Sequence, residues 1–262
     1  MINKHKISHK WENYHLSILG RFGIKVELGH DSFWIEENEE YFALKEYFDK
    51  WNVHETIISK FSIEEENASE YLIMLPPSSN GYPMPDDDFG YFKTTYNDTD
   101  HCRTCGMGLV QKEPFRIRKE PNWSGNKKIF SLNWVYDELF VRDVFYNETF
   151  KGKGMAKEKV LLYKKETVIE STVQLIIPSI DVSLNLEDYP FEVCKVCNRK
   201  RYDLINKGFF PSFKQELKGL HIFKSKEWFG TGANARKYIF VSQELRKELR
   251  KIKVNPIYIP CE

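Results

Sequence analysis

The chain has 262 residues, 41% of them hydrophobic and 15% aromatic, with 39 Lys and Arg against 38 Asp and Glu. That apolar content excludes disorder as the dominant state, and the longest apolar runs, about five residues as in Tyr71–Leu75, fall far short of the roughly 20 a membrane helix needs. The opening MINKHKISHK has no apolar segment after its basic residues, so no secretion signal is read and a cytoplasmic protein is expected.

In chain order, Gly23–Leu28 alternates as a strand would, and Tyr41, Leu44, Phe48 and Trp51 recur at helical spacing within Glu36–Trp51. His54–Phe61 reads as a strand. Ser62 before Glu64, Glu65 and Glu66 reads as an N-cap followed by acid in a first helical turn. Tyr71–Leu75 reads as a buried strand closing an acidic N-terminal α+β subdomain, 1–75. Residues 76–90, PPSSNGYPMPDDDFG, form the clearest loop and the expected boundary. In the remaining domain, 91–262, strands are expected at Tyr91–Tyr96, around Phe115–Arg118, and over Val160–Ile177 as one long strand or a bent pair. A helix is expected near Asp137–Phe150. The tail reads as a strand to Val241, an N-cap at Ser242, a helix with apolar Leu245, Leu249 and Ile252, and an edge strand over Val254–Ile259. The fold class is α+β, with mostly antiparallel sheet, segregated helices and an embedded zinc-ribbon-like module.

Four of the five cysteines form two C-x-x-C pairs, Cys102/Cys105 and Cys194/Cys197. Two intervening residues let a tight turn aim both thiolates at one ion, with backbone amides left to donate to sulfur. Two such knuckles predict a closed, structural four-thiolate zinc site, one Zn2+ per chain. The 88 residues between Cys105 and Cys194 exceed the roughly 15–20 of compact ribbons, so the ion would staple distant segments together. Inert buried thiols and redox chemistry are the alternatives, although neither pair is followed by a helix-opening sequence. His101 beside Cys102 reads as a neighbour of the site rather than a ligand.

Signs of catalysis are poor. No nucleophile elbow, phosphate loop or zinc-protease motif is present, and Gly230-Thr-Gly232 lacks the third glycine of a dinucleotide fingerprint, so it reads as a loop. The expectation is a protein that is not an enzyme. Basic residues cluster near the second knuckle (Lys195, Arg199, Lys200, Arg201) beside Tyr202, which makes a nucleic-acid-binding regulator the alternative.

The motif order is itself informative: Cys102-x-x-Cys105-Gly106, then Gln111, Pro114 and Phe115, then Leu132-Asn133-Trp134. The second pair with Lys200-Arg201-Tyr202, then Glu227-Trp228-Phe229-Gly230 and a strand–Ser–helix–strand tail follow. Over roughly residues 71–262 this resembles the bacterial double-CXXCG motif proteins, regarded as immunity proteins of polymorphic toxin systems. Asn198 stands where that family has glycine after the second pair; the position needs positive φ, and asparagine is the next most tolerant residue there. The resemblance implies a non-catalytic protein that binds a cognate toxin on a zinc-held scaffold.

Charge along the chain suggests where. Residues 31–100 hold 17 Asp and Glu against 4 Lys and Arg, and the rest carries the compensating basic excess. An acidic face from Glu64, Glu65, Glu66, Asp86, Asp87, Asp88 and the helix near Glu36–Glu40 is the expected toxin-binding surface, suited to a basic cleft. The plainer reading is that acidic and basic segments neutralise each other within the globule.

Overall fold

The computed structural model describes residues 1–125, 127–254 and 256–262, and the chain divides into two compact units. Among the described residues, no helix is long and apolar enough to cross a membrane.

The first unit comprises Met1–Ala68 and a returning segment, Ile205–Phe209. Its elements are β1 (Ile2–Trp11), α1 (Asn13–Arg21), β2 (Gly29–Glu36), α2 (Glu39–Trp51), β3 (His54–Lys60) and α3 (Ile63–Ala68). The strands form an antiparallel sheet in the order β2-β1-β3. Alternate residues of β1 and β2, Ile7, Trp11 and Ile35, bury one face against Leu19 of α1 and Tyr41, Leu44 and Phe48 of α2. The Ser62 hydroxyl accepts from the Glu65 amide at 3.2 Å and Glu65 Oε2 from the Ser62 amide at 2.8 Å, a reciprocal cap that starts α3.

Two expectations change here. Gly23–Leu28 is not a strand: its Ile24 and Val26 pack on the core from an irregular segment. The strand is β1, whose alternation is disguised by lysines and histidines on an otherwise buried pattern.

The second unit comprises Ser69–Leu204 and Phe210–Glu262. It begins with β4 (Tyr71–Leu75), α4 (Tyr91–Thr95), β5 (Tyr96–Asn97), β6 (Val110–Gln111), β7 (Arg116–Ile117), β8 (Ile129–Phe130) and β9 (Leu139–Arg142). A short helical turn α5 (Asp143–Phe145), β10 (Ala156–Leu162), β11 (Thr167–Ile176), β12 (Phe191–Val193), β13 (Lys200–Tyr202) and β14 (Ile222–Lys224) follow. It ends with β15 (Trp228–Phe229), β16 (Ile239–Ser242), α6 (Gln243–Lys251) and β17 (Ile257–Pro260). A five-stranded sheet runs β7-β10-β11-β9-β8 and a four-stranded one β14-β16-β4-β17. On β9, Leu139 and Val141 join one core with Leu72, Val241 and Leu245, while Phe140 faces a second core with Phe115 and Phe130. With mostly antiparallel pairing and few helices, the fold is α+β as expected.

The boundary moves. β4 lies between β16 and β17 and is buried along most of its length, so the first unit ends at Ala68 rather than at the 76–90 loop. An apolar five-residue strand belongs inside a sheet, and its partners lie near the far end of the sequence. The tail matches expectation: Ser242 Oγ accepts from the Leu245 amide at 3.2 Å, and β17 is an edge strand. Asn255, within the expected tail strand, lies outside the described residues. Val160–Ile177 is a hairpin, β10–β11. Tyr91–Thr95 is helical rather than extended, since Tyr91 and Thr95, four apart, are both buried. Of the helix expected over 137–150, Leu139–Arg142 is strand β9, because Leu139 and Val141 follow period two, and Asp143–Phe150 is one helical turn followed by a π turn.

Candidate metal centre and adjoining cavity

Each knuckle is built by the same local rule. The Cys102 amide donates to Met107 O at 2.8 Å and the Gly106 amide to Cys102 O at 2.7 Å. In the second knuckle the Cys194 amide donates to Arg199 O at 3.0 Å and the Asn198 amide to Cys194 O at 2.8 Å. Both turns close through a left-handed residue, Gly106 at φ +80° and Asn198 at φ +57°, as the spacing requires. The amides of Cys105 and Thr104 point at the Cys102 sulfur, and those of Cys197 and Val196 at the Cys194 sulfur.

The knuckles meet although 88 residues lie between them. Cys102 Sγ stands 3.7 Å from Cys194 Sγ, Cys105 Sγ 3.6 Å from Cys197 Sγ, and all four sulfurs lie within 4.8 Å of one another. Four sulfurs at about 2.3 Å from a tetrahedral ion would stand about 3.8 Å apart, so the cluster has the size of such a site. Three of the cysteines are buried, under Met107, Trp228 and Ala235. Backbone amides hold the Cys102 thiol down to about 6, whereas burial pushes Cys105 up to about 12. Four thiolates this close cannot all be charged without a cation, which a divalent ion would supply. Four protein ligands leave no open position, so the arrangement suits holding structure rather than polarising a substrate.

The glycines around the site explain its neighbours. A Cβ on Gly106 would lie 2.0 Å from Gly232 O, and the Gly232 amide donates to Cys105 O at 3.0 Å. Gly230-Thr-Gly232 is therefore a loop, as expected, and its task is to back the first knuckle. Arg199 Nη1 donates to Asp100 O at 2.5 Å and Met107 O at 3.2 Å, lacing the second knuckle to the first. Arg201 pairs with Glu192 and reaches Gly230 O, and Lys200 sits 3.7 Å over the Phe191 ring. Much of the basic cluster near this knuckle is thus engaged within the protein.

A cavity of about 1070 Å³ adjoins the first knuckle, with His101, Gly106, Trp134, Asp137 and Lys237 among its walls. Its polar lining was not legible as a motif. Gln111 and Gln174 exchange amide bonds of 2.8 and 2.6 Å; Gln174 Nε2 donates to Glu138 Oε2 at 3.0 Å, and Lys224 Nζ to Glu138 Oε1. Burial pushes the Glu138 carboxyl up, against the pull of Lys224. Burial also opposes the Lys224 charge, but Glu138 and Asp137 outweigh it and hold the ammonium above its usual range. The local sign was a lysine ending the run Ile222-Phe223-Lys224, all three residues of which β14 buries.

The acidic residues named above fall in both units. Glu64, Glu65 and Glu66 lie on α3 in the first unit; Glu65 caps Ser62 and contacts the Met1 amino group. Asp86, Asp87 and Asp88 lie in the second unit, where Asp86 pairs with Arg118 at 3.1 Å and Asp87 and Asp88 are exposed. Glu36 is held by Lys4 at 2.6 Å, and Glu37 by Lys207 at 2.8 Å and His5 at 3.1 Å. Compared with protein-family models, with curated proteins and with solved structures, the chain matches none.

Proposed function

We propose that the chain is an immunity protein that binds and neutralises a cognate bacterial toxin in the cytoplasm, without chemistry of its own, on a scaffold held by one structural zinc ion. The observation that carries the scaffold is the closure of four sulfurs to within 4.8 Å from knuckles far apart in sequence. Zinc is the ion favoured for four thiolates in tetrahedral array with no redox or open-site requirement. A reducing compartment keeps the thiols available. The toxin-binding role rests on the double-knuckle motif order and its strand–helix–strand tail. Of the acidic residues assigned to that contact, Glu64, Asp87 and Asp88 are exposed and available.

Elemental analysis of the purified protein is expected to give about one zinc per chain; far less removes the site. Co-expression with the product of the neighbouring gene is expected to restore growth and yield a co-purifying pair. Failure of both, with zinc present, leaves the scaffold and removes the toxin. Charge reversal by Asp87→Lys with Asp88→Lys is expected to weaken protection, and unchanged protection moves the contact elsewhere.

A further inference from the structure

The first unit carries a cationic surface, most of it supplied by β1, ahead of the acidic stretch of the sequence. In the first unit, one face of the β2-β1-β3 sheet is covered by α1 and α2, and the other carries no buried residue. The strand register fixes what that open face holds. Along the central strand it presents Lys4, Lys6, Ser8 and Lys10. Lys6 lies between Trp34 of β2 and Thr56 of β3, Ser8 between Ser32 and His54, and Lys10 opposite His30. Lys60 stands opposite Ile2 at the other end. The only carboxylate in the paired rows of this face is Glu36, held by Lys4 at 2.6 Å. The acid of α2 belongs to a helix packed against the opposite face of the sheet, so the sheet divides the unit's charge.

We infer that this open sheet face binds single-stranded nucleic acid, with the lysines of β1 on the phosphates and Trp34 under a base. Trp34 is 51% exposed beside Lys6, so its ring is open for a base to stack on. Lysine enrichment suits a phosphate backbone, whereas the buried centres of protein interfaces are depleted in it. Three strands make a platform about 10 Å across, wide enough for one strand laid along β1. From Lys4 to Lys10 the strand rises about 20 Å, a distance that several nucleotides cover. The face carries no Arg, Asn or Gln to read base edges in pairs, so binding is indifferent to sequence. This inference goes beyond the toxin-binding reading and does not depend on it.

The test is fluorescence anisotropy of the full-length protein with labelled 20-mers of dT and of rU at 50 mM salt, followed by titration with salt. Binding is expected, with log K falling against log salt at a slope of about −2 to −3, as three to four neutralised phosphates require. Trp34→Ala is expected to weaken it about five- to hundredfold. Combined Lys4→Gln, Lys6→Gln and Lys10→Gln is expected to remove most binding and flatten the slope, while Lys195→Gln in the other unit changes nothing. Circular dichroism of each variant confirms that it is folded; these positions are at least partly exposed, so folding should persist. No binding of either 20-mer overturns the inference. So does binding that survives the triple substitution, and so does preference for anionic vesicles or an acidic protein over the 20-mers.

Discussion

The two units of this chain close their cores over very different sequence distances. In the first, β1 finds β2 and β3 within 60 residues, and two amphipathic helices cover the sheet. In the second, β4 pairs with β16 and β17, more than 160 residues away, and the two halves of the sulfur cluster are separated by 88 residues. Local closure lets an ordinary hydrophobic core suffice. Distant closure carries a larger entropy of loop ordering, and a four-thiolate metal site is one way to offset it.

Breaking the sulfur cluster should expose this difference most strongly. Cys194→Ser, or chelation, is expected to cost the second unit more than about 5 kcal/mol, since structural zinc contributes on the order of 10–16 kcal/mol in small fingers. Hydrogen exchange would rise across β10, β11 and α6 while β1 stays protected; equal loss in both units would refute the contrast. Next is the buried pair of the second unit. Lys224→Met leaves Glu138 without its cation and should cost about 3–5 kcal/mol, whereas Glu138→Leu added to it should recover most of that. A double variant no better than the single would mean the lysine stem, not its charge, matters.

Gly106→Ala should cost about 2–4 kcal/mol from left-handed strain and collision with Gly232, while Asn198→Gly stays within about 1 kcal/mol, both read from denaturant midpoints. The smallest effect separates the units by acid. Lys207 holds Glu37 below the ordinary carboxylate range; Glu55 is held down by Tyr41, His5 and Lys45 in spite of its own burial. Their contribution is therefore present above about pH 4.5 and is lost as pH falls through the lowered values. Exchange protection in β1 and β3 should be flat above that pH and fall below it. A decline that is complete by neutral pH would assign it to other groups.

What the sequence made legible follows the same division of near from far. The helix at Glu39–Trp51, the caps at Ser62 and Ser242 and the four cysteines were readable because each signal spans a few residues. Asn198 was readable too, since a knuckle dictates its own backbone. β1 was not, because lysines on its open face mask the buried His5, Ile7 and Trp11. The place of β4 depended on partners at the other end of the chain, which periodicity does not encode. Net charge along the sequence did not show which carboxylates are engaged, as Glu36 is by Lys4 across β1 and β2. The Glu138–Lys224 pair, 86 residues apart, had no local sign beyond a lysine in an apolar run.

The long separation of the knuckles has a consequence during synthesis. The first pair of cysteines leaves the ribosome while Cys194 and Cys197 are still untranslated. At ordinary elongation rates of about 5–20 residues per second, the intervening stretch takes on the order of 5–20 s. For that interval Cys102 and Cys105 form an open half-site, exposed to oxidants and to ions of the wrong kind. Only a nascent chain that keeps these two thiols reduced until the second knuckle arrives can close the four-sulfur cluster, so the yield of closed clusters should depend on translation speed.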